Sequence, residues 1–395
     1  MRKRTVVRLL VSTTLILLLL TQMVAAAGAI PARKGKPPKP ADWTLMVYIV
    51  GDNNLDEYVP LDIETELAPA GSNADVSVVA LADRAATADW TQTLLFYVTQ
   101  GMEATPDNAV EDWKEANMGD PQTLIDFVLW TQENYPAKHY ALSFWNHGWS
   151  WRPGSSMLDE SNGGDTLDQH EIRYVLEQVG PIDVIMYDAC QMATIENEAT
   201  VYGYASAIVH SQEWVNWDGI EYELVIPALQ DDPGMDANEL AVVINQSAST
   251  GKERTGSAVT VDGRWDTLIE AVDDWAFALE EGLPEHRNHY SGAFHGAQSF
   301  WGDPTARDLY DVAQRIQRWV PDPEIQARSQ AVMDAVSSAV LDEWHIQPYA
   351  DAHGISIFLP LREQDLDDFD YYRQELVFAG LTHWDEFLEA YLEVQ

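Results

Sequence analysis

The one cysteine of the sequence, Cys190, closes the tripeptide Asp188-Ala189-Cys190, and a His147-Gly148 pair stands upstream of it. A thiol becomes a nucleophile when a neighbouring imidazole exchanges protons with it and when backbone N–H groups hold the oxyanion formed on the attacked carbonyl. Glycine directly after the histidine lets the backbone come close to that carbonyl, because it has no Cβ. These residue types suit acyl transfer through a covalent acyl-enzyme. As bare patterns they are short, and a single thiol with no disulfide partner is also compatible with a small buried hydrophobe.

The surrounding elements must bring the pair together. KHYALSFWNHG reads as a strand that ends at His147, and DVIMYDAC (Asp183 to Cys190) as a strand that ends at the thiol. Apolar runs ending in turn residues mark further strands at Trp43 to Asn54, Asp75 to Asp83, Gln92 to Val98 and Ala205 to Glu213. Between them lie helical patterns. LDEYVPLDIETELAPAG is helical despite Pro60, Pro121 to Tyr135 starts on a proline, and Thr166 to Gly180 has a capping-type start and a glycine stop. This alternation predicts an α/β fold with a mainly parallel sheet covered on both faces. Open sheets of that kind place ligands beyond the carboxyl ends of their strands. His147 and Cys190 both fall there, so the two are expected to meet. Past residue 235 the pattern changes to the helices ANELAVVINQSAS and RWDTLIEAVDDWAFALEEGL, strands at Gly256 to Asp262 and His353 to Pro360, and a last helix in THWDEFLEAYL.

The first residues, MRKRTVVRLLVSTTLILLLLTQMVAAAGA, read as a secretory signal peptide over 1–27, with a basic start, an apolar run and small residues at Ala25 and Ala27. An uncleaved membrane anchor is the alternative, and cleavage leaves no membrane span. A Pro- and Lys-rich linker over 28–42 follows, so folded structure is expected from near Trp43. Of 23 basic and 64 acidic residues, eight basic ones precede residue 41, which leaves 15 against 64 and a net charge of −49 over 41–395. Such a field repels phosphate backbones and excludes nucleic acid as a partner. It also suits a saline habitat, where salt screens the self-repulsion. Apolar residues at 46% supply a large core, so the acidity belongs to the surface and not to a disordered chain.

Longer stretches carry a resemblance. NMGDPQTLIDFVLWTQENYPAKHYALSFWNHGWSW, DVIMYDACQMATIENE and IVHSQEWVNWDGIEY resemble the clostripain family of cysteine peptidases, relatives of caspases, legumains and gingipains. So do WTLMVYIVGDNNLDEY, ARDLYDVAQRI, AHGISIFLP and FAGLTHWDEFLEAY, and together they span nearly all of the chain after the linker. The resemblance implies a caspase-like αβα sandwich, with a catalytic core at 43–235 and an α/β portion at 236–395 that completes the peptidase. It implies a secreted endopeptidase in which Cys190 attacks the scissile carbonyl and His147 protonates the departing amine. Gly148 and Cys190 would hold the oxyanion through their N–H groups. Asp188 and Asp218 would line a pocket for Arg or Lys, so the expected partners are proteins or peptides with basic residues. A strand-end cap for Asp188 and an ordinary turn residue for Asp218 are the competing readings. Cleavage after Arg152, in a loop between Ser150 and Asp165 expected to be exposed, is a further expectation, because relatives are often cut between the two catalytic strands.

Other motifs are expected to be inert. His353-Gly354 sits at the beginning of its strand, and His286, His289 and His295 lie in a polar stretch without metal-ligand spacing. No cofactor is expected. Calcium is used by some relatives, yet DESNGGDTLDQHE (Asp159 to Glu171) lacks the ligand spacing of an EF-hand and is expected to be a solvated acidic loop. Asp52, Asn53 and Asn54 are a family hallmark with no evident role beyond capping the first helix. A non-catalytic surface binding protein on the same fold, or an amidase or transpeptidase using the same two residues, are the alternative functions.

Overall fold

Ala41–Gly51 is buried along nearly its whole length, and a run apolar on both faces forms the central strand of a covered sheet rather than an amphipathic edge. The structure, a computed structural model, describes residues 39–154, 156–217, 219–249 and 254–393. The expected signal peptide and Asp218 lie outside these residues. In chain order the strands are β1 (Ala41–Gly51), β2 (Val76–Arg84), β3 (Leu94–Tyr97), β4 (Glu111–Asp112), β5 (Ala137–Trp145), β6 (Val184–Asp188), β7 (Ala207–His210), β8 (Thr255–Thr260), β9 (Ala306–Asp308), β10 (Val340–His345) and β11 (Ser356–Phe358). Among the described residues nine of them form one sheet in the order β10-β8-β7-β6-β5-β1-β2-β3-β4, while β9 and β11 form a small second one.

The middle of the sheet, β2-β1-β5-β6-β7, is parallel, and the strands on either flank run antiparallel. The chain therefore builds outward from β1 to β2 and then returns to the other side of β1 with β5. That reversal is where open α/β sheets form their crevice. Register fixes the rest. Trp145 of β5 pairs with Asp188 of β6, so His147 and Cys190 each lie two residues beyond the same rung.

Side chains alternate across β1. Trp43, Leu45, Val47 and Ile49 share a core with Ile63, Val225, Ile226, Leu240 and Ile244, and Tyr48 on the opposite face meets the ring of Phe127 in helix Pro121–Asn134. Helices thus cover both faces, as expected. Asp120 accepts the Gln122 N–H to cap the helix that leads into β5. The helix before β6 begins at Gln169, later than the expected Thr166, because Asp168 and Glu171 form the capping box. Such a cap contributes about 1 kcal/mol.

The chain beyond residue 235 is not a separate layer. It supplies β8 and β10 to the main sheet, and helices Gly263–Gly296, Leu309–Trp319, Pro323–Ala339 and Trp384–Glu393 pack together beside it.

Candidate active site

His147 and Cys190 line one cleft of about 770 Å³ at the carboxyl ends of β5 and β6, together with Gly148, Asp188 and Gly219. The expectation that the strands deliver both reactive groups to one edge corresponds to this placement.

Asn146 anchors the histidine's end of β5. Its side-chain N–H groups reach the Val50 carbonyl at 2.7 Å and the Leu158 carbonyl at 3.1 Å, its backbone N–H donates to the Asp188 carbonyl, and its Oδ1 accepts the His147 N–H. The imidazole Nε2 lies 2.8 Å from Asn54 Oδ1. A carbonyl oxygen only accepts, so Nε2 carries the proton and Nδ1 of the neutral ring is left to exchange one. Burial pushes the His147 pKa down against a weaker opposing pull from Glu160, which favours that neutral ring at neutral pH.

Cys190 is half-buried, with Sγ 3.8 Å from the Val215 carbonyl. Immediately after it Gln191 adopts φ +60°, a left-handed conformation that costs a non-glycine residue strain, and donates its N–H to the Glu213 carbonyl. The chain turns sharply at the thiol. Gly148 comes against this turn: a Cβ built on it would stand 2.5 Å from the Cys190 carbonyl oxygen and 2.8 Å from Met192 Sδ. Only glycine fits. Gly148→Ala is therefore expected to lower stability by about 1–3 kcal/mol through overpacking and to cut kcat about tenfold or more through displaced backbone. Thermal melts and steady-state kinetics check this; unchanged values in both would mean that the contact is slack.

Asp188 is buried, and its Oδ1 accepts the Ile220 N–H at 3.1 Å. Oδ2 has no hydrogen-bond partner among the described residues. Burial pushes its pKa up to about 7, against the Ile220 N–H and the neighbouring Tyr222 hydroxyl. Gly219, at φ +64°, places backbone against both carboxylate oxygens, where a Cβ would stand 2.6 Å from Oδ1. The segment that carries it also carries Asn216 and Trp217, which line the cleft. Trp149, Trp214 and Trp217 expose ring faces at the cleft; Trp217 stacks on Tyr58 at 5.5 Å and Arg254 lies over Trp214.

Three expectations need correction. Arg152 is not presented on an exposed loop: its guanidinium lies over Trp151 and Phe358, donates to Thr305 Oγ1 and Asp367 O, and faces Asp303 and Asp368. Ser150, Trp151, Ser156, Met157 and Asp159 of its loop are also buried. Asp52, Asn53 and Asn54 do not cap the first helix, Tyr58–Asp62, which has no side-chain cap. Asn53 instead bridges Val50 and Leu158, Asp52 accepts the Ser161 N–H, and Asn54 holds His147. Finally, the stretch from Asp159 to Glu171 is not merely a solvated acidic loop, since buried Asp159 joins Asp52, Asp83 and Glu115 in one carboxylate cluster. His353 pairs with Asp308 and stacks on Tyr310, and His286 faces Asp322, away from the cleft.

The sequence model of the clostripain family matches residues 47–391. Clostripain of Hathewaya histolytica is 24% identical over 80% of this chain and 74% of its own length. Among solved structures, a secreted C11 cysteine protease from Bacteroides thetaiotaomicron superposes with a TM-score of 0.66 at 18% identity, covering 87% of this chain and 99% of that one. An inactive zymogen C11 protease from Parabacteroides distasonis gives 0.65 at 19% identity over 88% of this chain and 99% of its own. With the family match running from β1 to the last helix and the fold shared with these proteases, the chain belongs to the clostripain family of cysteine-type endopeptidases.

Proposed function

We propose that this chain is an exported endopeptidase that cleaves after Arg or Lys through a His147–Cys190 dyad. The observation that carries the reading is the composition of a single cleft: a thiol and a neutral imidazole at strand ends, beside a buried carboxylate with one oxygen unpartnered among the described residues. A guanidinium or ammonium on the residue before the cleaved bond enters beside Asp188, with Asp218 as the second candidate wall. The Cys190 sulfur attacks the carbonyl carbon, and the N–H groups of Gly148 and Cys190 receive the oxyanion. His147 Nδ1 takes the thiol proton as the sulfur attacks and gives it to the leaving amine as the C–N bond breaks, which leaves a thioester and the neutral ring. Water then adds to that thioester, releasing the carboxylic acid and restoring the thiol.

Residues 43–235 serve as the catalytic core in this reading and 236–395 complete it, supported by β8 and β10 in the sheet and by Gly302 at the cleft, whose carbonyl accepts the Trp149 indole N–H. Export rests on residues 1–27 and agrees with a relative described as secreted. No helix among the described residues is long and apolar enough to cross a membrane.

The test is turnover of short peptide amides with Arg, Lys or a neutral residue before the cleaved bond, before and after alkylation of Cys190. Basic substrates should dominate and alkylation should abolish their turnover. Activity that survives alkylation overturns the reading.

A further inference from the structure

One loop of the C-terminal portion touches the neighbours of both proposed oxyanion donors. Trp301, Gly302 and Asp303 lie between helix Gly263–Gly296 and β9, far in sequence from His147 and Cys190. On the histidine's side, the Gly302 carbonyl accepts the indole N–H of Trp149, the residue after Gly148, at 3.1 Å. On the thiol's side the loop meets Gln191, the residue after Cys190. The Gln191 amide lies 3.1 Å from the Gly302 N–H and 2.7 Å from the Asp303 N–H, so its oxygen faces both and accepts them.

Glu213 closes the connection. Its side chain is fully buried, Oε2 accepts the Trp301 N–H at 2.7 Å, Oε1 accepts the Trp214 N–H at 3.0 Å, and Arg254 lies 3.7 Å from Oε1. Its backbone carbonyl accepts the Gln191 N–H at 3.1 Å. The N–H groups of 301, 302 and 303 are thus all received by Glu213 and Gln191. The Trp301 ring is 76% exposed, so backbone bonds place this loop and burial of that side chain does not. Burying a carboxylate is costly unless both oxygens are satisfied, and here each takes an N–H from a different wall of the cleft. Gln191 at φ +60° adds strain, which persists only where the surroundings overdetermine it.

We propose that Glu213 and Gln191 are positioning residues that strap loop 301–303 to the thiol turn and so hold the N–H groups of Gly148 and Cys190 where an oxyanion needs them. The inference rests on the proposed peptidase reading. Both residues act through the backbone of their neighbours. The thiol and the imidazole are carried by β6 and β5, whose pairing does not involve the loop. Loosening the strap therefore spoils oxyanion stabilisation and leaves the Cys190 sulfur reactive.

The test compares wild type with Glu213→Gln and Gln191→Met. Glu213→Gln exchanges one acceptor oxygen for a donor, so the N–H of Trp214 or of Trp301 loses its partner. Gln191→Met keeps the side-chain length and every backbone bond while removing the two bonds to the loop, and it carries the test if melting curves show that Glu213→Gln does not fold. Two rates are read in each protein: turnover of an arginyl peptide amide, and alkylation by iodoacetamide. Alkylation forms no oxyanion, and with one cysteine in the chain it reports on Cys190 alone. In the variants kcat is expected to fall about ten- to hundredfold with KM little changed, while alkylation keeps its wild-type rate. Wild-type kcat in a folded variant, or alkylation slowed in step with kcat, overturns the inference and leaves the peptidase reading standing. Wild-type turnover that survives alkylation overturns both.

Discussion

Cys190→Ala and His147→Ala are each expected to reduce turnover of an arginyl peptide amide by about 10⁴-fold or more, and the double variant to lose scarcely more than either alone. The reason is geometric. Both residues lie two positions beyond the rung where Trp145 pairs with Asp188, at one cleft, so each acts only with the other. Thiolate formation needs the ring, and the ring has no nucleophile without the thiol. Both residues sit at the cleft rather than within a packed core, so the melting curves should stay close to wild type. Losses that multiply in the double variant would mean that the two residues act independently and that the dyad is wrongly assigned.

The second large effect belongs to Asp188→Asn. A buried carboxylate pairs with a guanidinium through charge-assisted hydrogen bonds, and truncating one partner costs about 2–5 kcal/mol. Preference for Arg over a neutral residue should therefore fall by roughly 30-fold to several thousandfold. The pH dependence has a definite sign. Burial pushes the Asp188 pKa up to about 7, and only the carboxylate attracts a basic side chain, so kcat/KM for arginyl substrates should rise as pH increases through about 7. Neutral substrates should lack that limb. For stability the sign reverses. The folded state holds a proton that the unfolded chain releases near its ordinary pKa of 3.8, so wild type loses stability as pH rises from there to about 7. Asp188→Asn removes this penalty and should melt higher than wild type above pH 7, with the difference closing below about pH 4. A preference that instead fades with added salt in wild type would assign it to the acidic surface, because exposed charges are screened and a desolvated pair much less so.

The sequence carried the positions of His147 and Cys190 because each closes an apolar run, and strand ends are legible from where such a run meets turn residues. Parallel pairing followed from the alternation of strands and helices. The antiparallel flanks were less legible: β10, VLDEWH, mixes charge into a half-exposed strand and lacks the apolar alternation that marked its partner β8. Helix Tyr222–Asp231 carries Pro227 inside it and was masked by that signal. The role of Asn54 depends on a single long-range hydrogen bond, and the carboxylate cluster draws one residue from each of four segments, so no local spacing announces either. Arg152 was misjudged because a glycine- and acid-rich loop reads as solvated, while the partners that bury it lie near the far end of the chain.

In the proposed reaction Cys190 forms the covalent bond to substrate with His147 in attendance. The most direct measurement treats the purified chain with an irreversible peptide electrophile ending in arginine, then locates the added mass by peptide mapping. One adduct per chain is expected, on Cys190, formed in step with loss of activity, slowed in His147→Ala and absent in Cys190→Ala. Complete inactivation with Cys190 unmodified, or full labelling of Cys190 with turnover intact, would contradict it.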